Sequence, residues 1–507
     1  MHLKNVITYG VVAAAALMLS GCAQEKKEEL TVLIKMMPAQ QRYFVDEIIP
    51  AFEKSHNVKV NVATFTNAAE ITRKLELDAK KSQPEISLVK TPFEMTDVLV
   101  EKGLVQPLAQ ITSQDQVNMD IAAYHPLAVS MGMVNNTFYY IPRKLETRVL
   151  FYLKSKVADA VAKFDGYKEE ISSHLKEENG YGLPAGYVLE SDPDLWNMYD
   201  LYVVGYIWAH EEYNGKKEGR LAHRGAKYEG TSQFLIDRAY QFGDTPEEIL
   251  SMKGTGVENA YLWEKVLVRD GLYATGMWQD PWKGSDIWTN VQSGNVFLAY
   301  FQQIDFFNVH GWAGDVSMPS YLQDPSDMGI AIIPQAVSFE IDSEGMPQEV
   351  GSRNITTGGW FWGVPKAAPQ AKLAYEFSKF ITSKIENSKE VAQFGMIPVR
   401  KDLLNNFSNT FSEGWVGEVF EKSVKQISMH LLQEPLITVP RTRNYAQTSE
   451  NYIDAWYKLV ETQPDTTALN IDNISAYLNS GFIQEAEAIM KSDKTIETST
   501  SEKPLTE

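Results

Sequence analysis

The sequence predicts an α/β protein, and three features predict it: short apolar runs suited to strands, apolar residues at helical spacing between them, and their regular alternation over the first hundred residues after the N-terminal segment. Leu30 to Met36 suits a buried strand, and Phe44, Val45, Ile48, Ile49 and Phe52 then fall on one helical face. Val58, Val60 and Val62 alternate as a second strand. A helical stretch through Ile71, Leu75 and Ala79 leads past Pro84 to the run Ile86 to Val89. Strands alternating with helices make βαβ units and a mostly parallel sheet. Ligands of such sheets approach the carboxyl ends of the strands, so the loops Met37 to Gln41 and Lys90 to Glu94 face any cleft.

Ahead of this body, Lys4 precedes an apolar run from Val6 to Leu19 and then Leu19-Ser20-Gly21-Cys22, which holds the only cysteine. The run is too short for a transmembrane span, which needs about 20 residues, and has the length and flanks of an export signal. Its ending resembles the lipobox of bacterial lipoproteins, which implies that residues 1–21 are removed and that Cys22 becomes a lipidated N-terminus. The expected location is a membrane surface on the extracytoplasmic side. Residues 22–29 read as a flexible tether, and 491–507, rich in Ser, Thr, Lys and Glu, as a flexible tail.

With 507 residues, 44% of them apolar, the chain can fill two or more hydrophobic cores without disulfides. A net charge of −19 argues against nucleic-acid binding and against attachment to anionic lipid by charge. Lipid on Cys22 is therefore the one membrane contact expected, and the body is expected to be monomeric.

Several segments in order resemble the extracellular solute-binding proteins of ABC importers, especially the carbohydrate group. They are Pro84-Glu85-Ile86, Gly103-Leu104-Val105-Gln106-Pro107-Leu108, Ile141-Pro142 with Glu146-Thr147 and the strand Val149 to Tyr152, Thr357-Gly358-Gly359-Trp360-Phe361-Trp362-Gly363-Val364-Pro365, and Gly395-Met396-Ile397-Pro398-Val399-Arg400. A helix from Ala371 to Ile381 separates the last two. The resemblance implies a two-lobe periplasmic-binding-protein fold of type II, each lobe discontinuous: residues 30–142 and 364–405 in lobe 1, 143–363 and 406–490 in lobe 2. Hinge strands are expected near 141–147 and 355–363. It also implies a carbohydrate ligand in the interlobe cleft, permease subunits as partners, and no enzymatic step or cofactor.

Sugars offer hydroxyls to hydrogen-bond and flat C–H faces that lie on aromatic rings. The resemblance places Trp360 at the ligand turn, after Gly358-Gly359, where missing side chains let a ligand near the backbone. Trp362, two residues on in an extended strand, is a second candidate. Glu146 aligns with a ligand-contacting acid of maltose-type binders, its alternative being a hinge ion pair with Arg143, Lys144 or Arg148. Tyr300, Gln302 and Asp305 are expected after a strand from Gly294 to Ala299. Gln40, Lys90 and Thr91 are placed by topology alone. The stripe Trp196, Tyr199, Tyr202, Val203, Tyr206 and Ile207 at helical spacing reads as core.

Segment 156–289 is longer than the family pattern and little of it aligns, although Asp244-Thr245-Pro246-Glu247-Glu248 reads as a helix start. Phosphate-loop, dinucleotide and nucleophile-elbow motifs are missing, and His210-Glu211-Glu212 lacks the second histidine of a zinc-binding helix. An oligopeptide receptor, a lipid-anchored glycoside hydrolase with paired carboxylates, and a sensor subunit remain alternatives.

Overall fold

Nine strands carry the architecture of the computed structural model: β1 (Glu28–Ile34), β2 (Val58–Thr64), β3 (Ile86–Pro92), β4 (Tyr140–Glu146), β5 (Arg148–Leu153), β6 (Leu221–Ala222), β7 (Leu298–Gln302), β8 (Met328–Ala331) and β9 (Gly358–Gly363). The structure describes residues 27–311, 320–404, 414–431, 437–461 and 473–501. Cys22 and the export segment lie outside them. Among the described residues, no helix is long and apolar enough to cross a membrane.

The first sheet has the order β2-β1-β3-β9-β4. β1 runs parallel to β2 and β3, as the βαβ reading requires, while β9 enters antiparallel between β3 and β4. β1 starts at Glu28, inside the expected tether, because Glu28 and Glu29 pair with Val58 and Lys59. The second sheet has the order β8-β5-β7-β6. Each sheet has its own core. Leu30, Phe44, Trp362 and Phe377 belong to the first, and Phe151, Trp196, Tyr199, Trp263 and Trp456 to the second.

The chain passes between the sheets at Glu146-Thr147-Arg148 and at Thr356-Thr357-Gly358. Pairing in the first sheet thus continues through Glu146 and begins again at Gly358, beyond the limits 142 and 364 drawn from the sequence. Both crossings are fastened to the second lobe. Thr147 N–H donates to Gln303 Oε1 at 3.0 Å, and Gln303 N–H donates back to Thr147 O at 3.2 Å. Asp237 accepts from Thr356 N (2.9 Å), Thr356 Oγ1 (2.6 Å) and Arg148 Nη1 (2.5 Å).

Two elements read from sequence alone match closely. Helix Met198–His210 buries the aromatic stripe, and helix Pro246–Ser251 starts at Thr245, whose side chain and Glu248 cap each other. Elsewhere the structure corrects the reading. The strand expected over Gly294–Ala299 is β7, four residues later, because Gly294 at φ +73° closes the turn that ends helix Gly284–Gln292. The segment after 437 returns to the first lobe: Val439 and Tyr445 sit in its core, and Arg441 Nη1 meets Asp97 Oδ1 at 2.6 Å. The tail expected from 491 instead continues helix Phe482–Ser501, held where Asn444 Nδ2 donates to Ser492 Oγ at 2.7 Å.

Candidate ligand-binding cleft

Trp360 lies in β9 opposite Pro92 of β3 and Lys144 of β4, inside the first sheet near the strand ends that meet the crossing. Its ring is half-buried. Lys90 Nζ sits 3.8 Å from the ring centroid and donates to Lys35 O at 2.6 Å, while Trp360 Nε1 donates to Glu146 Oε2 at 3.3 Å. Glu146 Oε1 is ion-paired with Lys144 Nζ, so the hinge ion pair expected for Glu146 and its place beside Trp360 coexist. Burial alone would raise the Glu146 carboxyl, but Lys144 and then Lys90 outweigh it and hold the group below the usual carboxylate range. Burial, reinforced by Arg143 and Lys144, pushes the Lys90 ammonium well below its ordinary value. A Cβ on Gly359 would approach Lys144 O to 2.8 Å, so that glycine serves strand packing rather than ligand approach.

The second lobe supplies a polar group at the end of β7. Asp305 Oδ2 accepts from Gln302 N–H at 2.8 Å and from Arg224 Nη2 at 2.6 Å. Gln302 Oε1 lies 3.5 Å from the same Nη2. Burial opposes the charge of Arg224, but Asp305, Tyr228 and, from the first lobe, Glu146 outweigh it and hold the guanidinium charged. Gln302 and Asp305 therefore act together with Arg224, a residue the sequence reading did not find.

Burial removes three candidates as ligand contacts, and Lys90 and Asp305, buried as deeply, act through Trp360 and Arg224. Trp362 is fully buried and stacks on Phe44 at 6.0 Å, inside the first core. Thr91, opposite Phe361, is buried too, its hydroxyl donating to Pro92 O at 3.3 Å. Tyr300 lies within β7 rather than after it, with its ring 4.7 Å from Phe234 in the second core. Gln40 is also buried, but between the lobes: with Ile304, Phe307 and Asn308 it bounds a cavity of about 20 Å³, and its Nε2 has no partner. That volume suits one water, not a sugar.

A larger cavity of about 560 Å³ opens between the lobes, lined by Thr72, Glu94 and Met95 from the first and by Tyr228 and Glu229 from the second. Its volume falls within the usual range for small-molecule sites. Trp360, Glu146, Arg224 and Asp305 are not among its lining residues; within it, burial and then Glu229 push the Glu94 carboxyl up to about 8. Another cavity, of about 510 Å³ between Asp97, Asn135 and Arg441, lies away from the crossing. Among the described residues, no three His, Cys, Asp or Glu side chains could hold a metal ion. Aromatic rings, carboxylates and a guanidinium at a two-lobe crossing suit reversible binding of a hydroxyl-rich molecule.

Residues 47–415 match the family model described as bacterial extracellular solute-binding protein. The chain belongs to this family. Its similarity to the galactooligosaccharide-binding protein of Bacillus subtilis (strain 168) is 24% identity over 164 residues, spanning 31% of this chain and 37% of that relative. Among solved structures, the maltose-bound MalE3 of T. maritima superposes with a TM-score of 0.62 at 14% identity, covering 90% of this chain and 99% of that one. An ABC substrate-binding protein of Listeria monocytogenes in complex with cycloalternan gives 0.63 at 15%, covering 92% and 99%. The two-lobe fold is that of periplasmic binding proteins. In this solute-binding protein Arg224, Tyr228, Glu229 and Tyr445 come from segments with no motif, and only the place of Glu94 was signalled by the sequence. Lys90 to Glu94, expected as a loop, instead runs from the end of β3 into the 3₁₀ helix Phe93–Met95.

Proposed function

We propose that this protein is the carbohydrate-binding component of an ABC importer. It holds a sugar or oligosaccharide between its lobes and delivers it to permease subunits. The observation that carries this reading is Trp360 at the crossing, its indole N–H on Glu146, with Arg224, held by the buried Asp305, in the second lobe. One side offers a ring to a sugar face, and the other offers donors and acceptors to hydroxyls. Ligand touching both lobes favours the closed arrangement by its differential affinity, and closure distinguishes loaded from empty receptors at the permease. Catalysis has no part in this cycle, and ATP is hydrolysed by a partner subunit.

Lipidation of Cys22 would keep the receptor beside its permease on the extracytoplasmic face. Palmitate labelling in cells tests the anchor, with Cys22→Ser as the unlabelled control. The ligand is tested by thermal shift against mono- and oligosaccharides and peptides. Saccharides raising the melting temperature support the reading, and peptides alone doing so would replace it with an oligopeptide receptor.

A further inference from the structure

The cavity of about 560 Å³ is electrostatically lopsided. Three bases line it, and each is engaged by an acid: Lys102 with Glu76 at 3.1 Å, Arg443 with Glu101 at 2.5 Å, and Lys227 with Asp454 at 3.6 Å. Glu94, Glu229 and Glu450 also line it, and among the described residues none of the three has an ion-pair partner. On the same wall Tyr445 is only 5% exposed, and its hydroxyl forms no hydrogen bond although Gln233 and Ser232 lie near it. That hydroxyl lies within electrostatic reach of Glu94 and Glu229. Beside them, Tyr228 offers a half-buried ring.

These groups come from different lobes. Glu94 follows β3 in the first, whereas Glu229 opens helix Glu229–Gln241 in the second and Glu450 lies on helix Tyr445–Glu461, packed against it. Closing the cleft sets the Glu94 carboxyl against Glu229 and out of water, so at neutral pH the cleft closes only by taking up a proton, a cost that by itself opposes closure. A neutral sugar hydroxyl between them leaves that cost in place. A cation between them replaces it with attraction and couples closure to binding.

We infer that this acidic end of the cleft takes the ammonium group of an amine-bearing saccharide, with the Tyr445 hydroxyl accepting from it or from a neighbouring hydroxyl and Tyr228 beside the sugar ring. This rests on the carbohydrate reading above and narrows its ligand to a cationic sugar.

Calorimetry at about pH 7 with glucosamine oligomers, their N-acetylated counterparts and malto-oligosaccharides of equal length tests the inference. Glucosamine oligomers are expected to bind about tenfold tighter than either neutral series, the worth of one charge-assisted contact. In Glu229→Gln that preference is expected to vanish, with the ligand-free melting temperature at or above the parent's because Glu94 loses the like charge beside it. Neutral oligomers binding as well as the amine-bearing ones would overturn the inference and leave the carbohydrate reading intact. If no saccharide binds and lysine-containing peptides do, both fall. Failure of glucosamine oligomers to bind overturns the inference whatever else binds.

Discussion

Lys90 Nζ lies 3.8 Å from the centroid of the Trp360 ring, within a cluster that also holds Lys144 and Glu146. The ammonium covers an aromatic face beside the crossing. Lys90 is itself only 2% exposed and tied to Lys35 O, so a ligand meets the part of the Trp360 ring that Lys90 leaves open, and Trp360 answers for affinity more than for folding. Trp360→Ala should weaken saccharide binding by about tenfold or more in calorimetry, with the fold retained by circular dichroism.

Trp362→Ala should do the reverse. Its indole is fully buried against Phe44, and its removal leaves a cavity costing about 3–5 kcal/mol of unfolding free energy by chemical denaturation. Two residues apart on one strand, the tryptophans are expected to separate binding from stability.

The pair Arg143–Glu390 at 2.5 Å joins β4 to helix Lys384–Phe394 with both side chains buried. Arg143 Nε and Nη1 and Glu390 Oε2 have no hydrogen-bond partner. Glu390→Ala should therefore cost about 3–5 kcal/mol by stranding the guanidinium, whereas replacing both residues by Met should cost far less. Equal losses in the two variants would show that the charges earn their place through each other.

Glu264, fully buried, accepts from Tyr273 OH at 2.6 Å and Trp456 Nε1 at 2.8 Å, is ion-paired with Arg238, and has His223 Nε2 at 3.3 Å. Burial opposes its ionisation, yet Arg238 first and then His223 outweigh burial and lower the carboxyl from 4.5 to about 2. A depressed carboxylate contributes stability above its unfolded value and loses it as pH falls. The stability of the parent over Glu264→Gln, on the order of 3 kcal/mol at neutral pH, should shrink between pH 4.5 and about 2 in urea titrations.

Glu94 has the opposite sign. Its folded-state value is raised from 4.5 to about 8, so its protonated form fits the fold without penalty below pH 4.5, and a penalty grows as pH rises toward 8. Ligand-free Glu94→Gln should melt with the parent at about pH 4 and a few degrees above it at about pH 8.5.

The first lobe was legible because its information is local. Val58-Val60-Val62 and the run from Ile86 carry their strands in their own spacing, and the aromatic run Trp360 to Trp362 favours the extended form it takes in β9. Burial within it was not legible. Trp360 and Trp362 share a strand, and what separates them is the packing of Phe44, far away in sequence, onto the second ring. Tyr300 misled for a similar reason: Gly294 spends its positive φ ending a helix, which pushes β7 forward and carries the tyrosine into the core. Arg224 and Glu229 escaped notice because their roles exist only once 224–229 reaches the end of β7 and the first lobe, pairings that span 78 residues or more.

Isothermal titration of the protein with saccharides, repeated on Trp360→Ala, tests the central claim most directly. A saccharide should bind the parent, add about 2.7 kcal/mol of stability at 100 times its Kd, and lose at least about tenfold in affinity in the variant. Heat from peptides alone, or a saccharide bound equally by both proteins, would contradict a sugar cleft built on Trp360.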